Sequence, residues 1–104
     1  MKVLVVTGIK AREIVERELA KASFKVKGKV LVLPLPVAAL ITPTYAAKKI
    51  AREDVEGFDL ILLPGTVKGD VGMVGEKLGV PVFKGPRHSS DLADILENLE
   101  EIPL

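Results

Sequence analysis

The sequence predicts a three-layer α/β/α fold built on a four-stranded parallel sheet. Four short apolar runs alternate with segments of helical spacing along the chain. Strands that alternate with helices form parallel sheets with right-handed crossovers and with helices on both faces. We expect the strand order 2-1-3-4, which makes residues 1–104 a single small Rossmann- or flavodoxin-like domain.

Each predicted strand is an apolar run without polar alternation. Such runs are typical of strands that are buried on both faces of a parallel sheet. The four runs are Lys2–Val6, Lys29–Leu33, Asp59–Leu63 and Pro81–Phe83. Proline or glycine follows the first three runs within two residues, so each strand has a defined end.

Apolar residues at helical spacing follow every strand. The predicted helices are Ala11–Ala22, a segment from Pro43 up to Gly57, a weaker one from about Asp70 to Leu78, and a last one carrying Leu92, Ile95, Leu96 and Leu99. Thr42 before Pro43 is typical of an N-cap followed by proline at the first helical position. Ser90 or Asp91 is the predicted cap of the last helix.

The composition excludes several classes of site. The chain has no cysteine and one histidine, which excludes disulfides, thiolate metal sites and zinc sites built from several histidines. A net charge of +1 and only four aromatic residues argue against nucleic-acid binding. No apolar run reaches the ~20 residues of a membrane span, and no signal-peptide pattern is present. We therefore expect a cytoplasmic protein; one asparagine, no glutamine and abundant Lys and Glu further predict a thermophilic source.

Ligands of such sheets bind outside the carboxyl ends of the strands, where the strand order reverses. This principle places Thr7 and Gly8 of the first loop beside the third and fourth loops. The first loop lacks the spaced glycines of a dinucleotide site, and the chain contains no phosphate-binding GxxxxGK[ST] motif. We therefore interpret Gly8 as part of a plain strand-to-helix turn and expect no cofactor in this chain.

The third loop brings polar groups and glycines to one strand end. They are Gly65, Thr66, Lys68, Gly69 and Asp70. Glycines let backbone approach either a ligand or a neighbouring element closely. A ligand site and tight helix–sheet packing are both consistent with this pattern.

The fourth loop places three potential cations, two hydroxyls and a glycine before a predicted helix. They are Lys84, Arg87 and His88, then Ser89 and Ser90, and Gly85. A helix N-terminus carries partial positive charge and free N–H groups that suit phosphate or carboxylate. The alternative is a capped turn with solvated cations. No base or nucleophile accompanies the histidine, so we assign neither a catalytic residue nor a metal site.

The loop after the second strand, Pro34–Ile41, is apolar. If its side chains are exposed, the loop forms an apolar patch that is buried against another domain or subunit. The residues of this patch are Leu35, Val37, Leu40 and Ile41. The alternative is that the loop packs back onto the end of the sheet.

Four segments resemble the N-terminal domain of archaeal dihydropteroate synthase-like proteins. They are KVLVVTG, LPLPVAALITP, DLILLPGTVKGD and GVPVFKGPRHSSDL, in the family's order and over nearly all of the chain. The resemblance implies a following pterin-binding-like barrel and a role in folate- or methanopterin-type cofactor biosynthesis. A barrel needs ~200 residues, which this chain lacks, so the family's catalytic residues are not carried over. Ile102–Leu104 then begins a connection to that barrel or ends a stand-alone module.

Three hypotheses follow. The first is an accessory domain of a dihydropteroate synthase-like protein that binds an anionic small molecule or docks on the barrel, with a pterin-type substrate implied for the family only. The second is an independent enzyme acting on a phosphorylated substrate in the crevice between the first and third strands. The third is a homo-oligomerisation module that uses the apolar loop.

Overall fold

Four parallel strands form one sheet in the order β2-β1-β3-β4. The strands are β1 (Lys2–Thr7), β2 (Lys27–Val32), β3 (Leu60–Leu63) and β4 (Val82–Lys84). The computed structural model describes residues 1–23 and 25–98, so predicted positions Leu99 and Ile102–Leu104 lie outside the described residues. All three strand pairings are parallel, which confirms the predicted α/β fold and strand order.

Helices pack on both faces of the sheet. They are α1 (Arg12–Lys21), α2 (Pro43–Lys49), α3 (Arg52–Val55), α4 (Gly72–Leu78) and α5 (Leu92–Glu97). The apolar side chains of α1 and α5 share one core with one face of the sheet, and those of α2, α3 and α4 share a second core with the other face. No helix in residues 1–23 or 25–98 is long and apolar enough to span a membrane.

The two central strands supply both cores because successive side chains point to opposite faces. In β1, Leu4 and Val6 belong to the core under α2 and α4, while Val3 and Val5 belong to the core under α1 and α5. This double burial explains why β1 and β3 read as continuous apolar runs rather than as alternating ones.

The helix predicted from Pro43 up to Gly57 is two helices. Thr42 Oγ1 accepts a hydrogen bond from the Tyr45 N–H at 3.1 Å, which confirms the predicted N-cap. The first helix ends because Ile50 is extended, with ψ of 117°, and is buried in the core. The Ala51 N–H then donates to Asp54 Oδ2 at 2.9 Å and starts the second helix. Local hydrogen bonding by Asp therefore overrides the continuous helical spacing.

Candidate ligand-binding crevice

A crevice with a volume of about 120 Å³ opens at the carboxyl ends of β1 and β3. Its floor and walls come from β1, β3, α1, the start of α5 and the loops after β2, β3 and β4. The lining residues are Val5, Val6, Thr7, Val15, Ala38, Ala39, Leu62, Leu63, Pro64, Thr66, Gly85, Pro86, Arg87, Ser89 and Leu92. The crevice lies at the edge of the sheet where parallel α/β folds bind ligands.

Five of the predicted site residues line this crevice: Thr7, Thr66, Gly85, Arg87 and Ser89. Thr7 is the last residue of β1 and is buried, whereas Arg87 is exposed at the opening. The parallel pairing of β1 with β3 brings the first and third loops to the same edge of the sheet. The result is one arginine and three hydroxyl-bearing residues around an otherwise apolar hollow.

Thr66 carries a buried polar atom without a partner. Its Oγ1 is inaccessible to solvent and makes no hydrogen bond to any residue that the structure describes. A desolvated hydroxyl without a hydrogen bond costs about 1–3 kcal/mol relative to one that is paired. Since Thr66 lines the crevice, rotation of its side chain would turn this buried hydroxyl toward a polar group bound there.

Gly65 brings the third loop against the fourth. A Cβ at Gly65 would lie 2.5 Å from the Gly85 carbonyl oxygen and 2.7 Å from the Arg87 nitrogen. These are backbone atoms, which cannot move aside as a flexible side chain can. Gly65 therefore sets the approach of the loop that carries Arg87, and it does not itself line the crevice.

Gly8 plays a corresponding part between the first loop and the loop after β2. A Cβ at Gly8 would lie 2.9 Å from the Ala38 nitrogen. The adjacent Ile9 N–H donates to the Leu35 oxygen at 2.8 Å, and the Lys10 N–H donates to the Pro36 oxygen at 3.0 Å. The predicted turn is thus also a packing site, and it holds the second loop over the crevice.

The remaining predicted cations and the far end of the third loop lie outside the crevice. Lys68, Lys84 and His88 are exposed and do not line it. Gly69, with φ of +110°, faces Pro43 rather than the crevice. Asp70 Oδ1 accepts a hydrogen bond from the Gly72 N–H at 2.8 Å, so it organises the start of α4. The contacts of Gly69 and Asp70 in the third loop are therefore packing and turn contacts within the chain.

At the N-terminus of the last helix, where an anion site is predicted, one backbone N–H already has a partner. The Ala93 N–H donates to Glu18 Oε1 at 3.3 Å, so a carboxylate of the chain itself already lies at the start of α5. Lys21 Nζ donates to the other oxygen of Glu18 at 2.6 Å. This hydrogen bond, more than the one from Ala93, keeps the pKa of Glu18 below its ordinary 4.5 despite burial.

The sequence prediction missed the contribution of the apolar loop to the crevice. Ala38 and Ala39 line it, because the loop folds back over the sheet end. Ile41 is 1% exposed in the chain's own core and Leu35 is half-buried against that core, so neither forms an exposed patch. Part of this apolar loop therefore packs back onto the end of the sheet, which was the second of the two predicted alternatives.

Three apolar side chains in the first two loops are exposed. Ile9 is 55% exposed, Leu40 is 54% exposed and Val37 is 37% exposed. The hydrogen bonds between the first and second loops bring these segments together. We refer to Ile9, Val37 and Leu40 as the apolar rim.

Ionisable side chains are sparse around the crevice. Among its described lining residues, Arg87 alone has a titratable side chain, and a guanidinium is too basic to accept a proton in catalysis. A general base must lie within hydrogen-bonding reach of the proton that it abstracts. No group of three metal-ligating side chains occurs in residues 1–23 and 25–98.

Comparisons with known proteins place the chain in a family. Residues 1–87 match a family of unknown function, DUF6513. The chain is 33% identical over 111 residues to an uncharacterized protein of Methanocaldococcus jannaschii, an alignment that covers 100% of this chain and 21% of that relative. The chain thus spans about a fifth of the relative's length, and no solved structure matches it. Neither description mentions a dihydropteroate synthase-like protein, so that resemblance stays a prediction. Because the family match covers all four strands and most of the crevice, the chain belongs to the DUF6513 family.

Proposed function

We propose that this chain is an accessory, non-catalytic α/β domain that binds an anionic small molecule in the crevice at the strand ends. By the resemblance of its motifs, we further propose that it serves a dihydropteroate synthase-like protein in folate- or methanopterin-type cofactor biosynthesis. The observation that carries the binding proposal is Arg87 at the opening of a crevice that also contains three hydroxyl-bearing residues.

Arginine and hydroxyl groups together suit phosphate and carboxylate ligands. A guanidinium presents two parallel N–H donors to such anions, and charge-assisted hydrogen bonds are about twice as strong as neutral ones. The hydroxyls of Thr7, Thr66 and Ser89 add donors that do not compete for protons at neutral pH. The absence of a carboxylate and an imidazole among the lining residues favours binding over proton transfer.

The size of the crevice supports an accessory role. Pockets that enclose a whole drug-sized ligand measure about 300–1,000 Å³, several times the 120 Å³ observed here. The crevice therefore accommodates one group of a larger molecule, and another surface has to hold the rest. The relative from Methanocaldococcus jannaschii, of which this chain covers 21%, has ample further sequence for such a surface.

A second candidate function is self-association through the apolar rim. The exposure of Val37 and Leu40, at 37% and 54%, favours it. An independent enzyme for phosphorylated substrates has less support, since no lining residue can act as general acid or base.

The binding proposal is tested by titrating the isotope-labelled chain with phosphate, sulfate and a pterin phosphate while recording amide NMR shifts. We expect the amides of Thr66, Gly85 and Arg87 to shift first. Arg87→Ala should weaken binding about tenfold, because a hydrogen bond to a charged group at an exposed position contributes about 1.5 kcal/mol, the lower end of its usual range.

Lys84→Ala is the matched control because it removes one positive charge from an exposed residue three positions away that does not line the crevice. We expect it to change affinity less than twofold, as a screened surface charge does. Equal losses for Arg87→Ala and Lys84→Ala would mean that the anion responds to general surface charge, which contradicts a site in the crevice.

A further inference from the structure

We infer that the group held in the crevice is the carboxylate of a small acid with an apolar ring or branched body, rather than a phosphate. This inference rests on the proposed function, because it names the ligand class of the same site. It follows from the single positive charge of the crevice, from its apolar walls and from its small volume.

The crevice offers one positive charge. Arg87 lines it, whereas Lys68, Lys84 and His88 are exposed outside it. A carboxylate carries one negative charge, which one guanidinium neutralises. A phosphate monoester carries close to two at neutral pH. The second charge would have no partner among the described lining residues, and an unpaired charge next to apolar walls is strongly disfavoured.

A carboxylate of the chain also lies behind the wall. Glu18 accepts the Ala93 N–H, next to the lining residue Leu92. Many phosphate sites use a helix N-terminus to compensate for the second charge. Here that end of α5 is already bonded to an ionised side chain, so it provides little further attraction for a dianion.

The walls favour a ligand with an apolar body. Ten of the fifteen lining residues are aliphatic or proline, and Val15, Leu62 and Leu92 are buried core residues that reach the crevice surface. Inorganic phosphate would cover these side chains with a strongly hydrated group. A hydrocarbon body instead removes apolar surface from water, which is the main favourable term in binding small organic ligands.

The volume limits the size of that body. A protein cavity of about 150 Å³ lined by aliphatic and aromatic residues binds benzene. The 120 Å³ crevice, open on one side, has room for a single ring or a short branched chain. With the body against Leu62 and Leu92, the carboxylate lies toward the exposed Arg87, and its oxygens become acceptors for the hydroxyl-bearing loops.

The experiment compares five probes by NMR titration of the intact chain. Benzoate and isovalerate represent the inferred class, benzyl alcohol is the neutral counterpart of benzoate, phenyl phosphate keeps the ring with a larger charge, and inorganic phosphate lacks the body. We expect benzoate and isovalerate to bind at least tenfold more tightly than benzyl alcohol and inorganic phosphate. Benzoate should also exceed phenyl phosphate and should shift the methyl resonances of Val15, Leu62 and Leu92.

Two variants accompany the probes. Arg87→Ala should weaken benzoate binding about tenfold and leave benzyl alcohol unchanged, whereas Lys84→Ala should alter neither. Tighter binding of phosphate or phenyl phosphate that depends on Arg87 would overturn the inference and leave the anion-binding function intact. Equal binding of benzyl alcohol and benzoate would overturn the inference as well, because charge would then not be recognised. Absence of Arg87-dependent binding for every anion would overturn both proposals.

Discussion

At the residue scale, Thr66 is the position where folding and binding make opposite demands. Its Oγ1 is buried without a partner among the described residues, which opposes folding. Valine has nearly the same shape and needs no hydrogen bond at this position. Because the Thr66 hydroxyl lowers stability and Thr66 lines the crevice, we expect this hydroxyl to serve ligand binding rather than folding.

Thr66→Val separates these demands. We expect the free energy of unfolding to rise by about 1 kcal/mol, because the variant no longer buries an unpaired hydroxyl. Benzoate or phosphate binding should weaken in the same variant. Urea unfolding measures the first effect and NMR titration the second.

Thr44→Val is the matched control for Thr66→Val, since Thr44 is an exposed residue of α2. Its effect should stay within about 0.5 kcal/mol, as is usual for surface substitutions. A loss of stability in Thr66→Val larger than in this control would show that the hydroxyl has a favourable interaction in the folded state.

Gly65 is the second residue that determines the shape of the crevice. Gly65→Ala would place a Cβ 2.5 Å from the Gly85 oxygen, so the third and fourth loops would have to separate. We expect a destabilisation of about 1–3 kcal/mol, the usual cost of overpacking, and weaker anion binding because Arg87 moves with its loop. Thermal unfolding and NMR titration test both effects.

Gly85→Ala provides the comparison, because its Cβ would lie 3.3 Å from the Leu63 oxygen and needs only a small adjustment. We expect a milder loss than in Gly65→Ala. The reverse order would contradict the role of Gly65 in loop packing.

At the element scale, Glu18 joins α1 to α5. It is a buried carboxylate that accepts hydrogen bonds from Lys21 on its own helix and from the Ala93 N–H of α5. The start of α5 carries Leu92, a wall of the crevice. The side chain therefore holds one wall in place and satisfies a backbone donor that a helix N-terminus would otherwise leave free.

This contact predicts a pH dependence of stability. The pKa of Glu18 is below 4.5 in the folded protein, so the folded state binds its proton more weakly than the unfolded state does. By linkage, the stabilisation is complete above about pH 4.5 and is lost as the pH falls through the folded-state pKa. Glu18→Gln should lower the free energy of unfolding at pH 7 by about 1 kcal/mol, a modest value because Lys21 is largely exposed.

The difference between the wild type and Glu18→Gln should shrink below pH 4.5, which urea unfolding across pH 3–7 measures. Glu13→Gln, an exposed substitution on the same helix, is the control and should give a small and nearly constant difference. A wild-type advantage that persists unchanged to pH 3 would contradict the linkage.

The sequence predicted the strands because their burial on both faces leaves an unbroken apolar run in each. It could not predict the break between α2 and α3. That break depends on a hydrogen bond that the Ala51 N–H donates to the Asp54 carboxylate. An Asp at the same position of a continuous helix would look identical in the sequence.

The site was predictable only where topology determines it. The carboxyl ends of parallel strands had to bring Thr7, Thr66 and Arg87 to one edge. Which cation lines the crevice depends on the conformation of the fourth loop, and loops have no regular spacing of apolar residues from which this conformation could be predicted. The sequence therefore could not distinguish Lys84 from Arg87. The contact between Glu18 and Ala93 joins residues 75 positions apart, and no local signal marks it.

At the scale of the whole molecule, the crevice and the apolar rim lie at the same end of the sheet. The crevice and the apolar rim share the loops after β1 and β2, and the β1–β2 register holds these loops side by side. A partner that covers the rim would therefore also lie close to the opening of the crevice. Self-association and ligand binding would then affect each other through the same loops.

The apolar rim predicts self-association of the isolated chain. Exposed aliphatic side chains in neighbouring loops favour burial against an equivalent surface, and Leu40→Asp would place a charge in that contact. We expect the wild-type chain to form dimers in sedimentation experiments and Leu40→Asp to be monomeric with an unchanged midpoint of urea unfolding.

Met73→Asp is the control for this prediction. Met73 lies on α4 outside the rim and is comparably exposed, at 42%, so this variant should remain dimeric. Ile41→Asp should instead unfold the domain, because Ile41 is a core residue next to Leu40 in sequence. A wild-type chain that stays monomeric at NMR concentrations would exclude the rim as a contact between copies and leave docking within a larger protein as its remaining role.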